Sequence, residues 1–176
     1  MLANLIMTII GPDRPGLVGS LASVIASQGG NWLESRMGHL EGQFAGILRV
    51  QVPEESVDSL LNALRGLESE KLEVIAHRGE SIEASASLLR SFSLEVIGHD
   101  RPGIVREITG TLARFRINVE ELETERSSAP MTGGMLFQAR ARIVLPADCP
   151  ESLVRSELEK IASDLMVELR LGENAG

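Results

Sequence analysis

The sequence predicts an α+β protein built from two similar domains. Residues 11–16 read GPDRPG, and residues 98–103, 87 positions later, read GHDRPG. Each phrase follows a short apolar run and precedes apolar residues at helical spacing. Each half then continues with a hairpin pattern, a second amphipathic helix and a final alternating strand. The order predicted for each copy is therefore strand, helix, strand, strand, helix, strand.

Length and composition agree with a duplication. The chain has 176 residues, of which 43% are hydrophobic and 24% charged, as in soluble globular proteins. That length accommodates two domains of about 80–90 residues each. We expect a first domain at residues 1–77, a polar linker at 78–87 and a second domain at 88–172.

The first strands are predicted at residues 4–10 and 92–97, because both runs are apolar and the first ends at Gly-Pro. Alternation predicts which side chains face the two cores. These are Leu5, Met7, Ile9, Phe92, Leu94 and Val96.

A helix is predicted after each repeated phrase, with Pro15 and Pro102 in its first turn, where a missing N–H costs nothing. Gly29-Gly30 should end the first helix. Arg116-Ile117 stands in the same place in the second copy without a glycine, so we expect that end to close differently. The apolar positions with helical spacing are Leu17, Val18, Leu21, Val24 and Ile25, and Ile104, Val105, Ile108, Leu112 and Phe115.

A hairpin follows in each copy, with strands at 31–37 and 44–52 in the first and at 118–125 and 136–145 in the second. The second hairpin loop is six residues longer, and its Ser, Pro and Gly content indicates an exposed tip. Apolar spacing then predicts the second helices and the last strands. Their residues are Val57, Leu60, Leu61, Leu64 and Leu67, then Leu72, Val74 and Ala76, and in the second copy Leu153, Val154, Leu158 and Ile161, then Leu165, Val167 and Leu169.

Right-handed crossovers arrange such a unit as a four-stranded antiparallel sheet with both helices on one face. The opposite face stays open. Its predicted residues are Ile6, Thr8, Ile10 and Ile47 in the first copy and Ser93, Glu95, Ile97, Arg140 and Arg142 in the second. Because the first set is apolar, we expect a partner chain or domain to cover that face.

Charge and motif content exclude several classes of function. The net charge is −8 and basic residues are scattered, which disfavours direct binding to nucleic acid. No 18-residue apolar run exists, so no membrane span is expected, and residues 1–10 are interpreted as a strand and not as a signal peptide. The single Cys149 cannot form an internal disulfide, which fits a cytoplasmic location. No metal site or cofactor is predicted, because the three histidines are isolated in the sequence.

The repeated phrase suits an α-amino acid on physical grounds. A helix N-terminus with open backbone N–H groups attracts a carboxylate, and Gly16 and Gly103 leave those groups uncovered. Asp13 and Asp100 lie beside that pole, where either carboxylate can hold an ammonium group.

Two asparagines occupy matched positions at the start of the second strand, which this topology places at the sheet edge. The amides of Asn31 and Asn118 offer both hydrogen-bond donors and acceptors. A structural interpretation stays open for each residue type: an aspartate before a helix is commonly an N-cap, and an asparagine before a strand is commonly a turn residue.

The order strand, [GH]-x-DRPG-[LI]-V, apolar helix, Asn, hairpin, helix, strand resembles the ACT domain. Two copies fill nearly the whole chain, as in the glycine cleavage system transcriptional repressor family. The resemblance implies tandem ferredoxin-like βαββαβ domains that bind amino acids at interfaces between ACT domains, through the first loop and the asparagine of the second strand. The residues that it assigns to ligand binding are Gly11, Asp13, Gly16 and Asn31, and Gly98, Asp100, Gly103 and Asn118.

The sequence therefore predicts a non-enzymatic regulatory protein that senses a small amino acid, with glycine or serine expected. It would form a homo-oligomer and act through a protein partner such as a transcription factor of glycine or one-carbon metabolism. The alternative is a constitutive dimerisation or docking module, or a regulatory subunit of a metabolic enzyme, with no ligand of its own. A stand-alone enzyme is disfavoured, because no nucleophile–base pair or metal cluster is evident.

Overall fold

The computed structural model describes residues 1–79, 90–128 and 134–173. The chain divides into two compact units, Met1–Glu83 and Ala84–Gly176. The predicted linker lies outside the described residues except for Arg78 and Gly79, and most of the longer second hairpin loop lies outside them as well.

The first unit folds in the predicted order. Its elements are β1 (Leu2–Pro12), α1 (Leu17–Ser27), β2 (Asn31–Leu40), β3 (Gln43–Pro53), α2 (Val57–Arg65) and β4 (Glu73–Arg78). The strands form one antiparallel sheet in the order β2-β3-β1-β4, which makes β2 an edge strand as predicted.

The second unit repeats this topology. Its elements are β5 (Arg90–His99), α3 (Ile104–Arg114), β6 (Asn118–Ser128), β7 (Met135–Leu145), α4 (Glu151–Leu165) and β8 (Val167–Glu173). The sheet order is β6-β7-β5-β8, again antiparallel throughout. The predicted fold class, two ferredoxin-like α+β domains, is therefore confirmed.

Each unit has its own core between the sheet and its two helices. All six side chains predicted to face inward from the first strands are buried. From the helices, the buried apolar residues are Leu17, Leu21, Ile25, Val57, Leu60 and Leu64 in the first unit and Ile104, Ile108, Leu112, Val154, Leu158, Ala162 and Leu165 in the second. Leu165 was predicted in the last strand, and that prediction is wrong: Leu165 ends α4, and Met166 reverses the chain at φ 53°.

The starts of α1 and α3 differ from the prediction. The helices begin at Leu17 and Ile104, and their N-caps are Gly16 (φ 93°) and Gly103 (φ 97°). Both glycines are left-handed, a conformation that costs glycine little. Placing Pro15 in the first helical turn is therefore wrong, because the chain must pass through the glycine turn before the helix begins. Placing Pro102 in the first turn of α3 is wrong for the same reason, because Gly103 separates it from the helix.

The ends of α1 and α3 are alike. Gly29 (φ 69°) and Gly30 donate backbone N–H bonds to the carbonyls three and five residues earlier, at 3.0 and 2.9 Å. Arg116 (φ 56°) and Ile117 donate the corresponding bonds at 3.0 Å each. This is the Schellman arrangement in both copies. The expectation that the second end closes differently is therefore wrong, since an arginine adopts the conformation of the glycine.

The edge strands β2 and β6 carry an irregularity at matched positions. In β2 the pairing with β3 skips Leu33, between Trp32 and Glu34, and in β6 it shifts within Val119–Glu121. The extra residue reverses the alternation of the strand. As a result Trp32 and Met37, five positions apart, both pack against the core.

The sheet face away from the helices is open in each unit taken by itself. In the first unit it exposes Ile6, Ile10, Ile47 and Ile75. In the second it carries mainly charged side chains, which form ion pairs between neighbouring strands and, for Arg170 and Glu168, within β8. The pairs are Arg142 with Glu121 at 2.7 Å, and Arg140 with Glu95 and Arg170 with Glu168 at 3.8 Å.

Candidate functional site

Each repeated phrase forms the loop between the first strand and the first helix of its domain. The backbone N–H of Asp13 donates to the carbonyl of Gly42, at the hairpin turn, at 2.8 Å. The N–H of Asp100 donates to the carbonyl of Met135, beside the second hairpin loop, at 2.9 Å. In both domains the hairpin therefore anchors the loop next to the helix N-terminus.

Neither helix N-terminus is capped by a side chain. The interpretation of Asp13 and Asp100 as N-caps is wrong, because a left-handed glycine occupies the cap position of each helix. The first-turn N–H groups of a helix lack partners within it, so they remain available to an external acceptor. A Cβ added at Gly16 would meet nothing within 4 Å, so the space beside the α1 tip is open.

The two helix tips differ in charge. The first turn of α1 has no acidic residue, whereas the first turn of α3 contains Glu107, where the first copy has Ser20. Glu107 Oε1 would lie 3.8 Å from a Cβ added at Gly103. Glu107 Oε2 also lies 3.8 Å from the Arg101 guanidinium. The positive end of α3 therefore already has a carboxylate beside it.

The two aspartates differ as well. Asp100 Oδ2 lies 2.7 Å from Arg126 Nη2, and its side chain is only 23% exposed. Asp13 is exposed and has no ion-pair partner among the described residues. The first copy has His39 where the second has Arg126. The Asp13 carboxylate is therefore the one that is free to accept an ammonium group.

Gly11 and Gly98 lie on β1 and β5, where backbones approach closely. A Cβ at Gly11 would lie 2.7 Å from the carbonyl oxygen of Lys71, and one at Gly98 would lie 2.4 Å from Val167 Cγ1. Packing alone is therefore sufficient to require glycine at both positions. Their assignment to ligand binding stays a prediction.

Asn31 is exposed and lies at the opposite end of the sheet from the loop. It pairs with Gln51, which pairs with Asn4 near the start of β1, whereas Gly11 pairs with Phe44 at the other end. Seven residues of strand separate these levels, which is about 23 Å.

Asn118 is separated from its own loop in the same way. It pairs with Val144, which pairs with Ser91, whereas Gly98 pairs with Phe137. The structure thus brings the aspartate and both glycines of each phrase together but not the asparagine of the same domain.

Sequence reasoning missed Arg126 and Glu107. Aligning the two copies at the 87-residue offset could have identified them, because both are charged where the first copy has His39 and Ser20. No cluster of three or more His, Cys, Asp or Glu suited to a metal ion occurs within the described ranges. No helix in the described part of the chain has the length and apolar character needed to cross a membrane.

Comparison with known families agrees with the repeat and the fold. ACT domain models match residues 3–77 and residues 92–142. No curated protein matches the chain.

The solved structures that match over their whole length include the following two. One, described as an unknown protein from Galdieria sulphuraria, is 28% identical, with a TM-score of 0.84 and coverage of 99% of this chain and 100% of that one. The other is described as a "putative glycine cleavage system transcriptional repressor". It is 17% identical, with a TM-score of 0.73 and coverage of 100% and 99%, a likeness that shows the fold. Because each half is matched by a model of the ACT domain, the chain belongs to the ACT domain family, as a tandem of two such regulatory domains.

Proposed function

We propose that this chain is a non-enzymatic regulator that binds a small amino acid at the first loop of its first ACT domain. Glycine or serine is the proposed ligand, and the proposed output is contact with a protein partner. The proposed protein partner is a cytoplasmic transcription factor of glycine or one-carbon metabolism. The ACT domains support a regulatory role, and the similarity to a putative glycine cleavage system transcriptional repressor supports the choice of pathway.

The observation that carries the proposal is the tip of α1. It is a helix N-terminus with no side-chain cap and no acidic first turn, three residues after Asp13, whose carboxylate has no ion-pair partner in the described part of the chain. The helix pole attracts a carboxylate and Asp13 attracts an ammonium. A free α-amino acid has both groups, one carbon apart, and the open space beside Gly16 suits a small side chain.

The second domain is the weaker candidate for the same ligand. Arg126 already neutralises Asp100, and the carboxylate of Glu107 lies where a ligand carboxylate would bind. We therefore propose one amino acid per chain, bound to the first domain.

Asn31 contributes to this site only from another molecule, because it lies about 23 Å from the loop of its own domain. We propose that Asn31 of a second copy completes the site. Ligand binding would then favour the paired state and change affinity for the partner, as linkage requires. Protein contact is the proposed route because a net charge of −8 disfavours binding to DNA phosphates.

Titration calorimetry of the full chain against the twenty amino acids tests the proposal. We expect heat with glycine or serine, its loss in Asp13→Asn, and its retention in the control Asp164→Asn, which removes an exposed carboxylate from α4. Circular dichroism should show all three proteins folded. The absence of a response to every amino acid at millimolar concentration, or unchanged binding by Asp13→Asn, would contradict it.

One observation favours the alternative, a constitutive docking module: the apolar open face of the first domain. A docking module would bind its partner equally with and without glycine. Co-purification of partners from the native host under both conditions separates the two functions, because a sensor changes its partner binding with the ligand.

A further inference from the structure

The second domain has an edge strand whose outer side is unpaired. β6 pairs with β7, and no other strand in the described part of the chain pairs with it. Its residues 120–128 are all exposed. The outer side of such a strand presents backbone N–H and C=O groups that can pair with a further strand. We call this outer side the β6 edge.

An apolar crevice lies beside the β6 edge, on the sheet face that carries the helices. It is shallow, at about 20 Å³, and opens between α3 and β6. Val105 of α3 and Leu122 of β6 flank it and are 39% and 46% exposed. Ala139 and Ala141 of β7 also line it. A strand added to β6 would place its side chains on this face over the crevice.

The first domain closes the same space with its own side chains. Trp32 and Met37 of β2 pack against the first core. At the matched positions of β6 the second domain has the smaller Val119 and Thr124. The same topology therefore folds with the space filled, so the crevice is not a requirement of the fold. It leaves apolar surface in water that the side chain of another molecule can cover.

The opposite face of β6 is acidic. Glu121, Glu123 and Glu125 alternate along it. Arg140, the residue opposite Glu123, pairs instead with Glu95 at 3.8 Å. Among the described residues no cation lies within ion-pair distance of Glu123 or Glu125, and both line an open groove of about 240 Å³. Basic side chains on an added strand would supply the missing cross-strand partners.

The two faces together specify the chemistry of an incoming strand. Successive side chains of a strand point to opposite faces, so apolar residues toward the crevice must alternate with basic residues toward the glutamates. In this mode of binding, backbone pairing provides affinity and the alternate side chains provide specificity. A second copy of β6 does not fit, because self-pairing would set glutamates beside glutamates.

We propose that the β6 edge binds an extended segment of another protein in which apolar and basic residues alternate. The segment pairs with β6 as an additional strand of the second sheet. Its apolar side chains cover the crevice, and its basic side chains lie beside Glu123 and Glu125. The inference deepens the proposed function by naming the surface for the protein partner, and it rests on that function for the existence of such a partner.

Fluorescence polarisation with a labelled peptide tests the proposal. The probe is an acetylated peptide of about eight residues in which arginine alternates with valine, a length that suits pairing with a single strand. We expect saturable binding to the full chain without any added amino acid. Two further peptides carry N-methyl groups on alternate residues, one for each phase of the strand. One of these two should no longer bind, because its methyl groups replace the N–H groups that face β6.

Variants on the acidic face test the charge complementarity. Glu123→Gln combined with Glu125→Gln should raise the Kd of the peptide about tenfold, because pairs of opposite charge across the strands are lost. The matched control is Glu55→Gln combined with Glu68→Gln, which removes two exposed carboxylates from the first domain. This control should leave the Kd unchanged.

Variants beside the crevice test the apolar contact. Leu122→Ser combined with Val105→Gln should raise the Kd about tenfold, because the covered apolar area is reduced. Both side chains are partly exposed, so the fold should be kept, as circular dichroism will show. Val18→Gln, at the position of the first domain that matches Val105, is the control and should bind the peptide like the wild type.

Four results would overturn the proposal. The first is the absence of binding at high micromolar peptide concentration. The second is equal binding by both N-methylated peptides, which would mean attachment by charge alone. The third is an unchanged Kd in the crevice variants. The fourth is a wild-type dimer, seen by sedimentation velocity, that the crevice variants dissociate, which would assign the β6 edge to a second copy. None of these measurements involves an amino acid, so failure of the proposed function is recognised separately, by calorimetry with glycine and serine.

Discussion

Arg116 has a left-handed backbone conformation, which its counterpart in the first domain, Gly29, adopts at a lower cost in free energy. A left-handed φ of 56° costs a non-glycine residue about 1 kcal/mol. We predict that Arg116→Gly raises the free energy of unfolding by about that amount, measured by urea denaturation. The ion pair lost with Asp148, at 2.7 Å, contributes little because both side chains are mostly exposed.

Gly29→Ala is the matched control. An added Cβ would lie 3.7 Å from Pro53, an ordinary contact, so only the φ of 69° penalises it. We expect this variant to lose about 1 kcal/mol. A loss of stability in Arg116→Gly as well would show that the arginine side chain matters more than its backbone.

The side chain of Val167 leaves room for no residue larger than glycine at position 98. In Gly98→Ala the new methyl group would lie 2.4 Å from Val167 Cγ1, so we predict a loss of about 2 kcal/mol in unfolding free energy. The same substitution should cost less in a Val167→Ala background, because one clashing group is then absent. Chemical denaturation of the four proteins of this double-mutant cycle measures the coupling, and simple additivity would contradict the close contact.

At the scale of elements, α3 and the sheet of the second domain leave a shallow apolar crevice of about 20 Å³ that opens to solvent. Val119 and Ala141 line it, and the first domain has the larger Trp32 and Leu48 at these positions. We predict that Val119→Trp combined with Ala141→Leu raises unfolding free energy by about 1 kcal/mol, because the added groups cover the apolar walls of the crevice that now face solvent.

The reverse substitution in the first domain, which replaces the larger side chain with the smaller one of the second domain, tests the same idea. Trp32 packs against the first core, so Trp32→Val should lower unfolding free energy by about 2–3 kcal/mol. Thermal denaturation of both variants provides the comparison. Destabilisation by the filling substitutions would mean that the second core cannot accommodate the larger side chains.

Most elements were predictable from the sequence, because a strand with one buried face alternates and a buried helix face repeats every three to four residues. Leu165 shows where that reasoning fails. It continues the helical series of Leu158 and Ala162 and also begins an alternating series with Val167, so periodicity assigns it to either element. The left-handed turn at Met166 decides between them, and no periodic pattern reports such a turn.

At the scale of the whole molecule, the proposed function predicts the number of ligands bound. We expect calorimetry to give one amino acid per chain in the wild type. Arg126→His combined with Glu107→Ser gives the second domain the side chains of the first, and should raise the stoichiometry to two. A wild-type value of two, or a value of one in the double variant, would contradict the assignment of the ligand to the first domain.

The composition of the candidate site was only partly predictable from the sequence. The repeat identified which residues correspond, but the contact of Arg126 with Asp100 depends on the register of β6 against β7. The position of Asn31 follows from topology: α1 returns the chain to the other end of the sheet before β2 begins. Reasoning from motif spacing along the chain therefore grouped residues that the fold separates.

The extra residue at Leu33 has a consequence for how this sequence tolerates changes in length. Within a regular strand, inserting or deleting one residue turns every following side chain to the other face. At this bulge the strand already accommodates one additional residue. The side chains before the bulge and those after it therefore alternate between the two faces independently of each other. Changes in chain length among relatives should therefore accumulate there and in the hairpin loop, whereas β1 and β3, which pair on both sides, should keep a constant number of residues.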